Sequence, residues 1–267
     1  MTTDLAILCG TGALPHRLSQ ACPDALCITF TGISHSLIVG ETHSFERLGH
    51  LFEALKRNNI RRVVMAGSMQ RPALDPSKFD AVMQTIAPDL ITALLQGDDG
   101  LLRFVIELFE SRGFQVCGAH ELLPQLTAVV GLLSDHAPGF QHLVDMDKGF
   151  AMLNVLSAAD IGQSTVFEHG LCLGVETLQG TDALLDFVAR TPSSLRQEPG
   201  GVLIKTPKIG QDLRVDMPAI GPNTILRVHE ASLAGLAITA GQVLILEPEQ
   251  THALIAQYGL FLIARAL

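Results

Sequence analysis

The first 120 residues alternate short apolar runs with segments that place apolar residues at helical spacing. The apolar runs predict buried strands, and they are followed by glycine or by polar loop residues. Strands are predicted at Leu5–Cys9, Ala25–Phe30, Val63–Ala66 and Phe114–Gly118, and helices at Phe45–Lys56, Phe79–Leu95 and Leu101–Arg112. Pro88 is expected to kink the second of these helices or to start a new one. Alternating strands and helices indicate an α/β fold whose first domain is a Rossmann-like parallel sheet with helices on both faces.

The alternation of strands and helices stops after the N-terminal region and resumes, in a different order, in the second half of the chain. Residues 126–144 contain proline, glycine and an Asp-His pair without a long periodic pattern, which is typical of a linker or crossover. We therefore divide the chain into an N-terminal domain of residues 1–125, a linker of residues 126–144, and a C-terminal domain of residues 145–267.

The C-terminal domain begins with a predicted helix, Asp145–Ala159, and continues as a mixed α/β pattern. Short strands are predicted at Thr165–Phe167, Leu171–Glu176, Gly201–Lys205, Thr224–Val228, Gln242–Leu246 and Leu260–Ala264. Helices are predicted at Thr181–Ala189, Ala231–Leu236 and Pro248–Tyr258.

Composition excludes several classes of protein. The net charge is −9 with no basic stripe, and the chain has no Trp and one Tyr, so no nucleic-acid partner is expected. Hydrophobic residues make up 48% of the chain, yet no apolar stretch approaches the roughly 18 residues that suggest a membrane helix. The first residues lack the basic region of a signal peptide, and the five cysteines are scattered without a C-x-x-C motif. These features predict a cytoplasmic protein with reduced thiols.

A glycine turn follows the first predicted strand. Gly10 and Gly12 precede a helix that opens with Pro15, and glycines before a helix N-terminus suit a phosphate. A tight turn without a ligand fits the same pattern. Pro15 stands where a dinucleotide fingerprint needs its third glycine, and no acid stands near the end of the second strand. A nicotinamide-dependent reductase is therefore disfavoured, and we expect neither nicotinamide nor flavin.

The stretch from Lys205 to Gly221 concentrates charge between prolines and glycines. It carries three cations, Lys205, Lys208 and Arg214, and two carboxylates, Asp212 and Asp216. Pro and Gly predict a fixed loop or an edge strand here. Cations for phosphate oxygens and carboxylates for a divalent metal would suit a phosphate site. A surface loop of mutually neutralising charges fits equally well.

Other candidate residues also lie at segment ends or on loops, where sites usually lie. Arg71 follows a buried strand and is either a phosphate contact or a solvated arginine. Of Asp98 and Asp99, helix capping explains one and leaves the other unexplained. Gly180, Thr181 and Asp182 open a helix and are either a ligand-binding turn or a plain cap.

The motifs of the chain, taken in order, resemble those of a known enzyme family. They are L-x-G-x-G-x-L-P (Leu8–Pro15), A-G-x-x-x-R-P (Ala66–Pro72), G-D-D (Gly97–Asp99), G-A-H-E (Gly118–Glu121), D-I-G-Q (Asp160–Gln163), V-E-x-x-x-G-T-D (Val175–Asp182) and K-x-x-K-x-x-Q-D-x-R-x-D-x-P-x-I-G (Lys205–Gly221). Over essentially its whole length the chain resembles the LpxI family, the UDP-2,3-diacylglucosamine pyrophosphatases of lipid A synthesis. It departs from the common pattern mildly, at Thr11 and at the three residues before Arg71.

The resemblance implies a two-domain protein with its substrate in a cleft between the domains. The implied reaction is hydrolysis of UDP-2,3-diacylglucosamine to UMP and 2,3-diacylglucosamine 1-phosphate, with a divalent metal required. The essential aspartate of the R-x-D-x-P motif maps onto Asp216, and Asp212 is its expected catalytic companion. Asp216 and Glu176 are the expected ligands of Mg²⁺, with Mn²⁺ as the alternative. The expected substrate-binding residues are Gly10, Gly12, Arg71, Asp98, Asp99, Gly180, Thr181, Asp182, Lys205, Lys208 and Arg214.

The implied substrate resides in a membrane, so transient contact with the inner-membrane surface is expected of a cytoplasmic, peripheral protein. Formation of a homo-oligomer stays open. The alternative hypothesis is a nucleotide-sugar-binding or lipid-binding protein without catalysis, against which the clustered carboxylates argue mildly.

Overall fold

The computed structural model describes residues 4–34, 40–69, 72–95, 97–198 and 200–266. The chain divides into two compact units. The first comprises Met1–Pro124 together with Arg214–Asp216, and the second comprises Gln125–Leu213 and Met217–Leu267. No helix in the described ranges combines the length and the apolar character that a membrane span needs.

The first unit is a parallel sheet flanked by helices. Its strands are β1 (Leu5–Cys9), β2 (Leu26–Phe30), β3 (Glu41–His43), β4 (Arg62–Ala66) and β5 (Gln115–Cys117). Its helices are α1 (Leu14–Ala21), α2 (Leu48–Arg57), α3 (Ala81–Leu95), α4 (Gly97–Glu110) and α5 (Ala119–Leu122). The sheet order is β3-β2-β1-β4-β5 with parallel pairing throughout, which is the doubly wound, Rossmann-like order. The predicted fold class of the N-terminal part is confirmed.

The core of the first unit forms between the sheet and its longer helices. Alternate residues of β1, Ala6 and Leu8, face the same cluster as Leu51 and Leu55 of α2 and Phe109 of α4. Alternate residues of a strand lie on one face of the sheet, and helix residues four apart lie on one face of the helix. The apolar residues of both kinds of element therefore pack together in this cluster.

The second unit is a mixed sheet between helices. Its strands and helices, in chain order, are β6 (Gly131–Leu132), α6 (Phe140–Ser157), β7 (Ser164–Glu168), β8 (Leu171–Val175), α7 (Gly180–Ala189), β9 (Val202–Lys205), β10 (Ala219–Ile220), α8 (Pro222–Glu230), β11 (Gly235–Thr239), β12 (Leu244–Ile245), α9 (Pro248–Gln257) and β13 (Phe261–Arg265). Single 3₁₀ turns occur at Phe45–Arg47, Pro76–Lys78, Pro124–Leu126 and Ser193–Leu195.

The main sheet of this unit has the order β6-β13-β11-β9-β7-β8, and β10 pairs separately with β12. The strands β9, β11 and β13 are parallel, whereas β6, β7 and β8 pair antiparallel with their neighbours. Along β9, Leu203 joins the core on one face, and Val202 and Ile204 join the core that α6 covers on the other. The predicted mixed α/β character of the C-terminal part is confirmed.

Several predicted elements differ from the structure. The segment Thr224–Val228 lies in helix α8, where a strand was predicted, and residues Ala231–Leu236 form a turn and the start of β11, where a helix was predicted. In α8 the buried residues Ile225 and Val228 are three apart, and Pro222 occupies the first turn. This short apolar run therefore has helical spacing and a helix start signal, which outweigh its β-branched residues.

Other differences concern where helices begin. Helix α3 continues through Pro88 as one element, held by the buried residues Met83, Ile86 and Ala93 on both sides of the proline. Helix α4 begins at Gly97, four residues before its predicted start, and α6 begins at Phe140, five residues before its own predicted start.

Strand β6, in the segment predicted as a linker, pairs with β13 in the second sheet.

Candidate functional site

The glycine turn after β1 lies where the strand order of the first sheet reverses. At this position, between β1 and β4, ligands of doubly wound sheets usually bind. The backbone N–H of Gly10 donates to Ala66 O at 2.7 Å, and that of Thr11 donates to Ser68 O at 2.8 Å. A Cβ atom at position 10 would lie 2.5 Å from Ser68 O, so the close packing of the two turns requires Gly10. Gly12, with φ at +90°, completes the turn, and phosphate binding here stays a prediction.

The segment Arg214–Asp216 belongs to the first unit, although the residues on both sides of it belong to the second. Val215 packs against the core of the first unit. The guanidinium of Arg214 donates from Nη1 to Glu110 Oε1 at 2.7 Å and to Val116 O, in β5, at 3.5 Å. These contacts fix the backbone directly before Asp216, a half-buried residue, near the end of β5.

His120, in α5, lies close to the same segment. A Cβ atom at Gly118 would be 2.6 Å from His120 Nδ1 and 3.3 Å from the Cα atom of Arg214. Glycine at position 118 therefore lets the imidazole and the Arg214 backbone approach together. The Nδ1 atom of His120 is buried, and it has no hydrogen-bond partner among the described residues.

Three of the predicted residues meet in the second unit, and we call them the Lys205 cluster: Lys205, Glu176 and Thr181. Lys205 ends β9, Glu176 follows β8, and Thr181 lies in the first turn of α7. The Thr181 hydroxyl donates to Glu176 Oε2 at 2.6 Å and accepts from Lys205 Nζ at 2.5 Å, and the ammonium lies 3.7 Å from the same carboxylate oxygen. Lys205 is only 5% exposed, so its charge is largely shielded from water, and it faces the carboxylate of Glu176.

The loop after the Lys205 cluster is tied to the end of α6. The ammonium of Lys208 forms an ion pair with Asp160, and the backbone N–H of Ile209 donates to Ser157 Oγ at 2.5 Å. A cavity of about 270 Å³ opens beside this loop. It is lined by Phe150, Asn154, Ser157, Thr206, Pro207, Lys208, Ile209, Gly210, Gln211, Leu213 and Gln242.

Most of the remaining candidates have contacts of their own, and one lies outside the described residues. Asp182 accepts a hydrogen bond from Asn223 Nδ2 at 2.7 Å. Asp98 and Asp99 both lie in the first turn of α4, and Asp99 forms an ion pair with Arg103 one turn later. Gly180, with φ at +84°, begins α7. Arg71 lies outside the described residues.

The expected metal ligand Glu176 already has two close partners in the structure. An ammonium lies 3.7 Å from its carboxylate, and a hydroxyl donates to the same oxygen. Within the described ranges, no group of three or more His, Cys, Asp and Glu residues could hold a metal ion. Asp212 and Asp216 are half-buried carboxylates on the loop that follows β9, and carboxylate oxygens are ligands that Mg²⁺ accepts.

Sequence reasoning missed the partners that hold these residues in place. Glu110 binds Arg214 from 104 positions away, Asn223 binds Asp182 from 41, and Asp160 binds Lys208 from 48. Of these, only Asp160 carried a signal, since it begins the D-I-G-Q motif. Local patterns contain no information on the others, because their pairing depends on tertiary packing.

Comparison with known proteins places the whole chain in one family. Residues 4–126 match the model of the LpxI N-terminal domain, and residues 129–263 match that of the LpxI C-terminal domain. The chain is also 36% identical, over 269 residues, to a protein of Caulobacter vibrioides named UDP-2,3-diacylglucosamine pyrophosphatase LpxI. That similarity covers 97% of this chain and 96% of the relative. Since both domains match in order and the similarity extends over nearly the full length, the chain belongs to the LpxI family.

Proposed function

We propose that this protein hydrolyses the pyrophosphate of UDP-2,3-diacylglucosamine in lipid A synthesis. Water would attack one phosphorus, the bond from that phosphorus to the bridging oxygen would break, and UMP and 2,3-diacylglucosamine 1-phosphate would leave. The observation that carries the proposal is the full-length similarity to a relative named for this activity.

Asp216 is the proposed catalytic residue, with Asp212 as its companion. A carboxylate can orient the attacking water and accept its proton. The anchoring of Arg214 to Glu110 and of Val215 in the first core supports this role, because catalysis requires a side chain held in one position.

Charge on the pyrophosphate would be neutralised by the cations of the same stretch. Lys208 and Arg214 are the more accessible of the three, whereas Lys205 is buried and holds Glu176 and Thr181 in place. The backbone N–H groups of Thr181 and Asp182, in the first turn of α7, have no intrahelical partner by geometry and suit a phosphate or sugar oxygen, whereas the Gly180 N–H donates to Thr177 O at 2.9 Å.

We also propose a requirement for Mg²⁺, or Mn²⁺ in its place. Asp216 would hold the ion together with phosphate oxygens of the substrate, since Mg²⁺ commonly binds one or two carboxylates and substrate phosphates. When bound, it would supply Lewis-acid polarisation and charge neutralisation at the phosphoryl oxygens. Glu176, the other expected ligand, would first have to release its ion pair with Lys205.

The diacylated substrate further implies that the protein works at the cytoplasmic surface of the inner membrane. An enzyme that acts on such a lipid must reach the boundary between the head groups and the acyl chains. Peripheral, reversible contact is therefore part of the proposal.

The first test is release of UMP from UDP-2,3-diacylglucosamine, with Mg²⁺ and then with EDTA. We expect release that EDTA stops. The variant Asp216→Asn should lower kcat by about 10²- to 10⁴-fold, the range typical of a lost general base. Asp147→Asn is the matched control, because Asp147 is an exposed carboxylate of α6 paired with Arg265, and its kcat should not change.

Each other outcome has a defined meaning. Release of UMP that continues in EDTA would support the proposed substrate but contradict the metal requirement. Full turnover by Asp216→Asn would remove Asp216 from its role. If UMP is released in neither condition, and the melting temperature rises when a UDP-sugar is added, the protein would be a non-catalytic binding protein and not an enzyme.

A further inference from the structure

We propose that three exposed aliphatic side chains of the second unit, Ile161, Leu178 and Ile209, form the surface that inserts into the lipid bilayer. We call this surface the apolar rim. Their exposed fractions are 40%, 93% and 71%. The inference rests on the proposed function, since it names the lipid surface through which a diacylated substrate would be reached.

The three residues lie on segments that contact one another. Asp160 and Gly162 flank Ile161 in the turn after α6. Asp160 is paired with Lys208, the neighbour of Ile209. On the other side, a Cβ atom at Gly162 would meet the backbone carbonyl of Glu176, two residues before Leu178. The segment of Ile161 therefore contacts the segments of the other two, at the end of the second sheet where β8 and β9 finish and β7 begins.

The apolar rim is continuous with the candidate substrate site. Ile209 also lines the cavity of about 270 Å³, whose other apolar lining includes Phe150 and Leu213. Leu178 lies between Glu176 and Thr181, two members of the Lys205 cluster. Exposed aliphatic residues beside a site for a lipid substrate are expected to contact hydrocarbon, because large exposed apolar side chains that group together usually mark an interaction surface.

The charges of the protein indicate that the apolar rim binds the membrane by insertion of apolar side chains and not by attraction to anionic lipids. The protein carries a net charge of −9, which an anionic membrane repels. Two cations on the neighbouring segments form ion pairs with carboxylates, Lys208 with Asp160 and Lys205 with Glu176. Binding should therefore occur on uncharged phosphatidylcholine vesicles and should depend little on salt, as insertion of apolar side chains predicts.

A second group of exposed apolar residues provides the control. Val129, Val130, Leu132, Phe140 and Leu143 lie around β6 and the first turns of α6. Helix α6 has 18 residues and is therefore about 27 Å long, which separates Phe140 from the rim at the helix's other end. The candidate site residues near the rim lie at the far end of α6. This second group of apolar residues is therefore not continuous with the candidate site, as the rim is.

The test measures flotation of the full-length protein with phosphatidylcholine vesicles, with and without UDP-2,3-diacylglucosamine in them. The rim variant is Ile161→Asn with Leu178→Asn, and the control variant is Val129→Asn with Phe140→Asn. Hydrolysis is measured on vesicle-borne substrate and on a short-acyl analogue dissolved in water. Melting temperatures confirm that each variant folds.

We expect the rim variant to lose vesicle binding, and turnover of vesicle-borne substrate, by about tenfold or more, since two exposed aliphatic side chains would no longer transfer from water. Its turnover of the dissolved analogue should stay within about twofold of the wild type, and the control variant should match the wild type in every assay. Salt should change wild-type binding little.

Three results would overturn the inference. The rim variant could float as well as the wild type, or the control variant could be the one that fails to float. Equal loss on the dissolved analogue would place the rim residues on the substrate and not on the bilayer. If the wild type hydrolyses neither substrate, the proposed function fails. Flotation with substrate-free vesicles still shows whether the apolar rim binds the bilayer.

Discussion

At the scale of single residues, His142 shows how burial fixes a protonation state. Its ring is buried at the start of α6, where Nδ1 accepts from the Gly139 backbone N–H at 3.0 Å and Nε2 lies 3.1 Å from Gly200 O. Nε2 therefore carries the proton, and the neutral ring satisfies both bonds. Burial lowers the pKa of His142 below its ordinary value of 6.5.

This lowered pKa predicts a loss of stability in mild acid. Above the unfolded-state pKa near 6.5, both states are neutral and the contribution is complete. As the pH falls below that value the unfolded chain binds the proton first, so the free energy of unfolding decreases until the lowered folded pKa is passed. The melting temperature of His142→Gln should fall less on acidification than that of the wild type.

The exposed His136, changed to Gln, is the control for this measurement. Its pH profile of melting temperature should follow the wild type. If the profiles of wild type and His142→Gln were parallel, His142 would not be the group responsible.

Residue types at the candidate site were largely accessible to sequence reasoning, but their contacts were not. Lys205, Glu176 and Thr181 were each identified from charge and from position at segment ends. That Thr181 hydrogen-bonds to both of the others depends on the order β9-β7-β8 and on the start of α7, which no local pattern contains. The ammonium of Lys205 beside Glu176 was not anticipated either, and the assignment of Glu176 to a metal stays a prediction.

At the scale of elements, Glu168 at the end of β7 connects three segments of the second unit. Its buried carboxylate accepts from Arg196 Nε at 2.9 Å, from the Gln197 N–H at 2.8 Å and from the Gly201 N–H at 3.0 Å. Arg196 in turn donates to the carbonyls of Ala231 and Ser232, after α8. One ion pair thus joins β7, the loop before β9 and the turn before β11.

The variant Glu168→Gln should destabilise the protein by about 3–5 kcal/mol, because the nearly buried Arg196 would lose its counter-charge. Urea unfolding measures this difference. Asp147→Asn breaks an ion pair whose carboxylate is exposed and should cost less than about 1 kcal/mol. Similar losses for the two variants would show that Glu168 contributes no more than a surface pair.

Elements with strong periodicity or clear boundaries were predictable, and short apolar runs were less so. The alternation of strands and helices in the first unit identified its parallel sheet. In the second unit the five residues from Thr224 to Val228 fit either a strand or a helix turn, and the buried contacts of Ile225 and Val228 decided for the helix. These buried contacts, together with the helix start signal at Pro222, settled that ambiguity.

At the scale of the whole molecule, the units do not follow a single cut in the sequence. The Arg214–Asp216 segment, deep within the second half, completes the first unit. No sequence pattern predicted this, because Val215 is one apolar residue in a charged loop, and its partial burial depends on a core whose residues lie 99 or more positions earlier.

The variant Gly118→Ala tests whether this arrangement positions Asp216. The added methyl would meet His120 Nδ1 at 2.6 Å and the Arg214 Cα atom at 3.3 Å, so the ring or the segment must shift. We expect UMP release to fall by about tenfold or more, since small displacements at a reacting centre can cost about a hundredfold, with a cooperative unfolding transition retained.

Gly139→Ala is the control, because a Cβ atom there has His142 Nδ1 at 3.8 Å as its nearest neighbour. It should keep full activity. Activity of Gly118→Ala equal to that of this control would show that the contact does not position Asp216.

The placement of Arg214–Asp216 also bears on how such a chain could have been inherited. Two domains that each fold from one uninterrupted stretch can be exchanged between genes as cassettes. Here, a gene for residues 1–124 alone would encode a first unit without Val215 in its core, and a gene for the remainder would encode Arg214 without Glu110. Recombination at the boundary between the two halves would therefore separate the proposed catalytic aspartate from its support, and the halves are expected to have evolved as a matched pair.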